Sequence, residues 1–160
     1  MGEFDGHFQT ENIPPFIEAV DWYLEKVIVT PDQFAALSAE MRRLAFTAAR
    51  VYEADQLLAV YDALTAAIYQ GGTYAEFSKA VRGILTNPHH RRTVFNTNVM
   101  SAYGAGHWEQ AQATKALRPW ATFRAVIDGR TSPGCYRLNG VTMPLDHPYV
   151  RANWTPRHHN

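Results

Sequence analysis

The chain has 160 residues, of which 46% are hydrophobic and 19% charged, a composition that suits a single soluble globular domain with its own core. No run approaches the roughly 18 consecutive apolar residues of a membrane span, and the opening MGEFDGHF lacks the basic-then-apolar order of a secretory signal. The one cysteine, Cys135, excludes an internal disulfide framework and cannot by itself build a multi-cysteine zinc site.

The formal net charge of zero hides an asymmetry. Residues 1–80 carry five Lys+Arg against twelve Asp+Glu, and residues 81–160 carry ten against three. Three readings follow: one half meets a polyanion, copies pack head to tail, or the halves neutralise each other within the fold. A cytosolic or particle-borne protein without a membrane anchor is expected.

Residues 1–12 show no periodicity and read as a tail. Asn12 offers a helix N-cap, with Pro14 and Pro15 in the first turn. Phe16, Ile17, Val20, Tyr23, Leu24 and Val27 then mark one apolar helix face. Thr30-Pro31-Asp32-Gln33 predicts a capping box opening a second helix through Phe34, Leu37, Met41, Leu44 and Ala45 towards Ala49. A third helix is expected over roughly 54–70, with Leu57, Leu58, Tyr61, Leu64 and Ile68 on its apolar face and Gly71-Gly72 ending it. Thr73 to Glu76 is another capping box, ahead of Phe77, Val81 and Ile84. Asn87-Pro88 starts the longest helical stretch, to about Leu117, in which Gly104 and Gly106 predict a kink or a place where another backbone comes close.

Arg118-Pro119 stops that helix and the character changes. Residues 121–127 alternate as a strand, Asp128-Gly129 and Ser132-Pro133-Gly134 read as turns, and Tyr136–Leu138 and Val141–Met143 flank Asn139-Gly140 as a hairpin. Pro144, Pro148 and Pro156 are expected to break the remainder into short extended pieces. The fold class is therefore α+β: N-terminal helices and one long helix over 13–118, followed by a small antiparallel β module over 119–160.

Several residues of these segments could carry chemistry. Asp128 and Arg130 could pair with each other in an Asx turn or jointly face a partner. Arg130, Arg124 and Arg137 could form a phosphate-contacting face, as could the His89-His90-Arg91-Arg92 cluster. That cluster opposes the dipole of the helix it opens unless the histidines are neutral. Cys135, His147, His158 and His159 are the weak metal-ligand candidates, with zinc the metal they would suit, although no pair has the close repeated spacing of a zinc motif. Cys135 as a nucleophile would need a base that the sequence does not single out. No phosphate-binding loop, dinucleotide fingerprint, nucleophile elbow or zincin motif is present.

The segment after Trp120, with Asp128, Arg130, Thr131 and Pro133, then Leu138 and Gly140, then Asp146, then Pro156 and His158 or His159, resembles the phage head morphogenesis family typified by the Mu F protein and related minor head proteins of tailed phages. Upstream, Thr97 to Gly106 is similar to that family's helix of Thr-Glu, small residues and Gly, and the stretch from Glu18 through Val81 is similar in layout to its Mu-like members. Cys135 stands where the family usually has His, Asn98 where it often has Glu, and the sequence reaches Asn160 before the family's Cys-Arg-Cys. These departures weaken the expectation of an intact His/Cys cluster.

The resemblance implies a minor head protein found in the phage head, and in host cytoplasm during assembly, that acts in head morphogenesis and DNA packaging or delivery. Portal and capsid proteins are the partners it implies, with double-stranded DNA as a further candidate through Arg91, Arg92, Arg124 and Arg137. The motif residues Trp120, Asp128, Arg130, Thr131, Pro133, Cys135, Leu138, Gly140, Pro156 and His158 would then contact partners, with no catalytic residue and no cofactor. The competing expectation is a metal-dependent enzyme or toxin-delivery module using the Asp/Arg/Cys/His set of the same region.

Overall fold

The computed structural model describes residues 15–154. The expected tail, the Asn12 cap, and Pro156, His158 and His159 lie outside the described residues. The elements run α1 (Ile17–Leu24), β1 (Val27–Ile28), α2 (Pro31–Ala36), a 3₁₀ turn (Met41–Leu44), β2 (Ala45–Phe46), α3 (Ala54–Gln70), α4 (Tyr74–Val81), α5 (Pro88–Ala113), β3 (Trp120–Thr122), α6 (Pro133–Leu138), β4 (Thr142–Pro144) and α7 (Pro148–Ala152). The class is α+β, mostly helical, with the long α5 followed by a two-stranded antiparallel sheet.

The caps are where local sequence dictates structure. Gln33 N–H donates to Thr30 Oγ1 at 3.3 Å while Thr30 N–H donates to Gln33 Oε1 at 2.9 Å, closing the box that opens α2. Thr73 and Glu76 repeat the device at α4, and the Thr73 N–H beside it holds the Glu76 carboxyl below the usual carboxylate range. Gly71 ends α3 with φ +67°, a left-handed conformation that costs glycine little. Asn87 accepts from the N–H groups of His89 and His90 to open α5.

Two helical expectations were overtaken. The first helix stops at Leu24, and Val27–Ile28 forms a parallel pair with Ala45–Phe46. The second stops at Ala36 instead of running to Ala49, because Leu37 turns extended and Ser38 Oγ accepts from Met41 N–H at 3.3 Å. Serine competes in this way with helical hydrogen bonding. The freed carbonyls of Phe34 and Ala35 accept from the Arg42 guanidinium at 3.2 and 2.8 Å, so the chain can leave the helix without orphaned acceptors.

One apolar cluster unites these helices. Tyr23 stacks on Tyr61 at 5.0 Å and meets the edge of Phe46 at 6.2 Å, and the Tyr61 hydroxyl donates to the Tyr23 carbonyl at 3.1 Å. Leu57, Val60, Leu64 and Ile68 of α3 pack with Phe77, Val81, Leu85 and Val94 around that trio. α1 lies against α5, where Phe16 contacts Tyr103 and His107 at ring distances of 5.9 and 4.8 Å. Gly106 is the point of closest approach: a Cβ there would stand 2.8 Å from Ala19 N and from Phe16 Cζ. α5 is continuous through both glycines, so the close backbone approach, and not a break in the helix, is what Gly106 provides.

Gly106→Ala should therefore lower stability, because overpacking of about 1–3 kcal/mol outweighs the roughly 1 kcal/mol of helix propensity that alanine returns. Gly83→Ala, where an added Cβ meets nothing within 4 Å, should stay within about 0.5 kcal/mol of wild type in the same urea titration. Equal effects at the two positions would refute the close-approach argument.

Lys26 supplies a pH test of the β1 region. Its ammonium donates to the Arg43 carbonyl at 2.8 Å and lies 4.0 Å over the Trp22 ring, and burial lowers its pKa from 10.5 to about 8. Between those values the unfolded chain binds more protons than the folded one, so stability rises with pH. Below pH 8 the charged amine exerts its full cost. Relative to Lys26→Met, the wild-type melting temperature should rise between about pH 8 and pH 10.5; a pH-independent difference would refute it.

Candidate functional site

After α5 the chain builds its second part from little apolar material. Leu145 and Val150 are its buried hydrophobic residues, and neither belongs to the helical core cluster. Trp120–Thr122 pairs antiparallel with Thr142–Pro144, Ala121 opposite Met143, and the Thr122 and Thr142 hydroxyls meet across the ladder at 2.8 Å. The expected hairpin of Tyr136–Leu138 with Val141–Met143 does not form. Ser132 accepts from Cys135 N–H at 3.3 Å and Pro133 sits at the first helical position, so 133–138 is a helix. Asn139-Gly140 then forms a turn closed by Val141 N–H to the Leu138 carbonyl at 2.9 Å, with Gly140 at φ +83°. That places glycine where a type II turn needs it. The strand expected over 121–127 shortens to 120–122, and Pro148 opens α7 instead of interrupting an extended piece.

Three contacts tie the module to α5 and to the turn that follows it. Trp154 Nε1 donates to the Gly104 carbonyl at 2.8 Å, Trp154 meets Trp108 edge-on at 4.9 Å, and Lys115 pairs with Asp146. Between the end of α5, α1 and β3 lies a groove of about 850 Å³. Trp120, Phe123, Leu145, Val150 and Trp154 give it an apolar lining. Its helical wall carries Glu18, which accepts from Gln110 at 3.2 Å, and Glu109, and Arg118 and Arg124 also line it. Trp120 and Arg124 of this groove are candidates in the sequence, but their meeting with Glu18 and Trp154 is not visible there, because these residues come from distant segments.

The motif residues Asp128, Arg130 and Thr131 form a tight turn. Asp128 Oδ1 accepts from Arg130 N–H at 2.8 Å and Oδ2 from the Arg130 guanidinium at 3.2 Å. Thr131 Oγ1 accepts from Asp128 N–H and donates to the Val126 carbonyl, both at 2.8 Å. The Arg130 N–H, ahead of the guanidinium, holds the Asp128 carboxyl below the usual range. This is an Asx turn with a local ion pair, and the Arg130 side chain remains 93% exposed. Val126, Ile127 and Tyr136 of the same module are exposed large hydrophobics. Leu138 is half-buried and Gly140 exposed.

The other candidates divide. Arg91 is not a surface cation: it is 8% exposed, and its guanidinium donates to Ser78 Oγ at 3.0 Å and to the Leu85 and Thr86 carbonyls. It fastens the α4–α5 connection, which removes it from the DNA-contact set. Arg92 lies 4.2 Å over the Tyr74 ring with its side chain exposed, and Arg124 and Arg137 are exposed. His90 is held below its usual pKa by burial and by Arg50, which keeps charge off the positive end of α5. His147 Nδ1 accepts from Tyr149 N–H at 3.2 Å and caps α7. Cys135 is a half-buried thiol on α6. Among the described residues no three His, Cys, Asp or Glu side chains converge as a metal site, and no helix is long and apolar enough to cross a membrane.

A module held to a helical spine, with the Asp-x-Arg-Thr turn at its surface, fits one known class. Residues 59–160 match the family described as "Phage Mu protein F like protein", and the chain belongs to that family. Among curated proteins it is 26% identical, over 141 residues, to the "Putative capsid assembly protein F" of Escherichia phage Mu. The alignment covers 74% of this chain and 32% of that relative, so the chain spans about a third of the relative's length. No solved structure matches it significantly.

Trp154→Phe keeps a ring against Trp108 and deletes the donor to Gly104. Losing one hydrogen bond of about 0.5–1.5 kcal/mol should speed amide exchange in β3 and β4 by up to about tenfold while α3 amides keep their protection. Unchanged exchange in the two strands would show that this contact does not hold the module.

Proposed function

We propose that this protein acts in assembly of a phage head by binding, without catalysis, and that its partners are capsid and portal proteins. The observation that carries the reading is the family match over residues 59–160, together with the similarity to a relative described as a capsid assembly protein. The Asp128 turn supports it: Arg130 is braced by Asp128 yet exposed, and Val126, Ile127 and Tyr136 of the same module are exposed as well. Exposed aromatic and arginine residues of this kind are the usual anchors of protein interfaces. The engagement of Asp128 and His147 in local caps favours a binding role over a reactive cluster. Double-stranded DNA is a secondary partner in this proposal, through the exposed Arg92 and Arg137.

The test is capture of purified capsid and portal proteins by the full chain, with Val126→Ser/Tyr136→Ala as the variant. Both side chains are exposed, so the fold should persist by circular dichroism. Affinity for one of the two partners should fall about tenfold or more, as for loss of an interface anchor. No binding by wild type, combined with normal infectious particles from a phage lacking the protein, would sink the proposal.

A further inference from the structure

Among the described residues, the charge asymmetry of the sequence is not matched by ion pairs between its two halves. The ion pairs formed among the described residues are Lys115–Asp146 and Asp128–Arg130, and both lie within the basic half. Among the described residues, no carboxylate of the acidic half forms an ion pair with a base of the basic half.

The outer face of α3 is an acidic surface. This helix contains no Lys or Arg, and Asp55, Leu58, Ala59, Asp62, Ala66 and Tyr69 are all exposed along it. Their spacing of three and four residues puts them on one stripe about 20 Å long. Leu58 and Tyr69 are large apolar side chains there, 48% and 52% exposed, and Ala59 and Ala66 let another surface come close. The basic one is the reversal after α5, where Arg118 and Arg124 flank the groove and Leu117 and Trp120 are 87% and 63% exposed. The α3 stripe carries only carboxylates and the segment 117–124 only arginines, Glu18 and Glu109 of the same groove belonging to α1 and α5, so the stripe and the segment are opposite in sign.

We propose that these two faces bind each other between copies, the α3 stripe of one chain on the Leu117–Arg124 face of the next. The occupant of the groove face is thus a second copy of this chain. Because the two faces differ, the contact is heterologous and propagates head to tail, as a ring or an open row. Desolvated Trp120 and Leu117 supply affinity, and the paired charges fix register and suppress self-pairing of like faces. The inference stands apart from the capsid reading, which rests on the Val126–Tyr136 surface.

Light scattering on the full chain tests it. The mass should exceed the 18.1 kDa of one chain at about 0.05 M salt, rise with protein concentration, and fall towards one chain near about 0.5 M, where exposed charges are screened. Arg118→Glu/Arg124→Glu should remain monomeric, and so should Asp55→Lys/Asp62→Lys, since each then presents two faces of one sign. Mixing the two variants should restore association, because the acidic face made by the first matches the basic stripe made by the second. All four positions are exposed, and circular dichroism would verify both folds. Wild type that stays monomeric at low salt, association that persists in either variant alone, or a mixture that fails to associate would each overturn the proposal. Monomeric wild type whose Arg118→Glu/Arg124→Glu form loses capsid-protein binding would give the groove face to that protein instead.

Discussion

The contact of α1 with α5 at Gly106 is the constraint on which the remaining structure depends. With Ala19 N and Phe16 Cζ only 2.8 Å from where a Cβ would stand, the two backbones come as close as a glycine permits. That approach sets the depth at which Tyr23 enters the core, stacked on Tyr61 and edge-on to Phe46. Phe46 belongs to β2, whose parallel pairing with β1 then follows. Two residues back along α5, about 200° around a helix of 3.6 residues per turn, the Gly104 carbonyl accepts from Trp154. The same short stretch of α5 thus receives an N-terminal helix on one face and the last described residue of the module near the other.

How much of this could be read from the sequence depends on how local its cause is. Thr30, Thr73, Asn87 and Gly71 act within four residues of themselves, and their caps form as the sequence predicts. The spacing of Leu37, Met41 and Leu44 is equally helical, yet the chain leaves the helix there. What decides it is Ser38 together with an Arg42 side chain folding back to Phe34 and Ala35, and a strand partner supplied by Val27 and Ile28. Ser132-Pro133 is compatible with a turn or with a helix N-cap, and Asn139-Gly140 with a hairpin or a type II turn. Pairing of β4 with Trp120–Thr122, some twenty residues upstream, selects the second of each.

The candidate site divides in the same way. The Asp128 turn closes within residues 126–131 and was legible, including its alternative as a structural ion pair. Arg91 looked like its neighbour Arg92 in sequence. Only the carbonyls that α4 leaves behind at Leu85 and Thr86, together with Ser78, draw one inward while the other rests on Tyr74. Trp120 and Arg124 of the groove were candidates in the sequence, but the groove itself was not, since Glu18, His107 and Trp154 meet them only in the folded chain.

The uneven distribution of apolar burial gives the two parts different physical tasks. The helical part hides an aromatic trio and a continuous cluster, a stable platform by hydrophobic burial alone. The module buries Leu145 and Val150 while leaving Trp120, Val126, Ile127 and Tyr136 exposed, and it is held to α5 by one hydrogen bond and one edge-on tryptophan pair, and to the turn after α5 by one exposed ion pair. Exposed ion pairs contribute little, so the tryptophan contacts carry most of the attachment. A small unit that leaves this much apolar surface uncovered gains stability from whatever covers it, because a ligand that binds only the folded form shifts the folding equilibrium by mass action. A partner that covered this surface would therefore also stabilise the module.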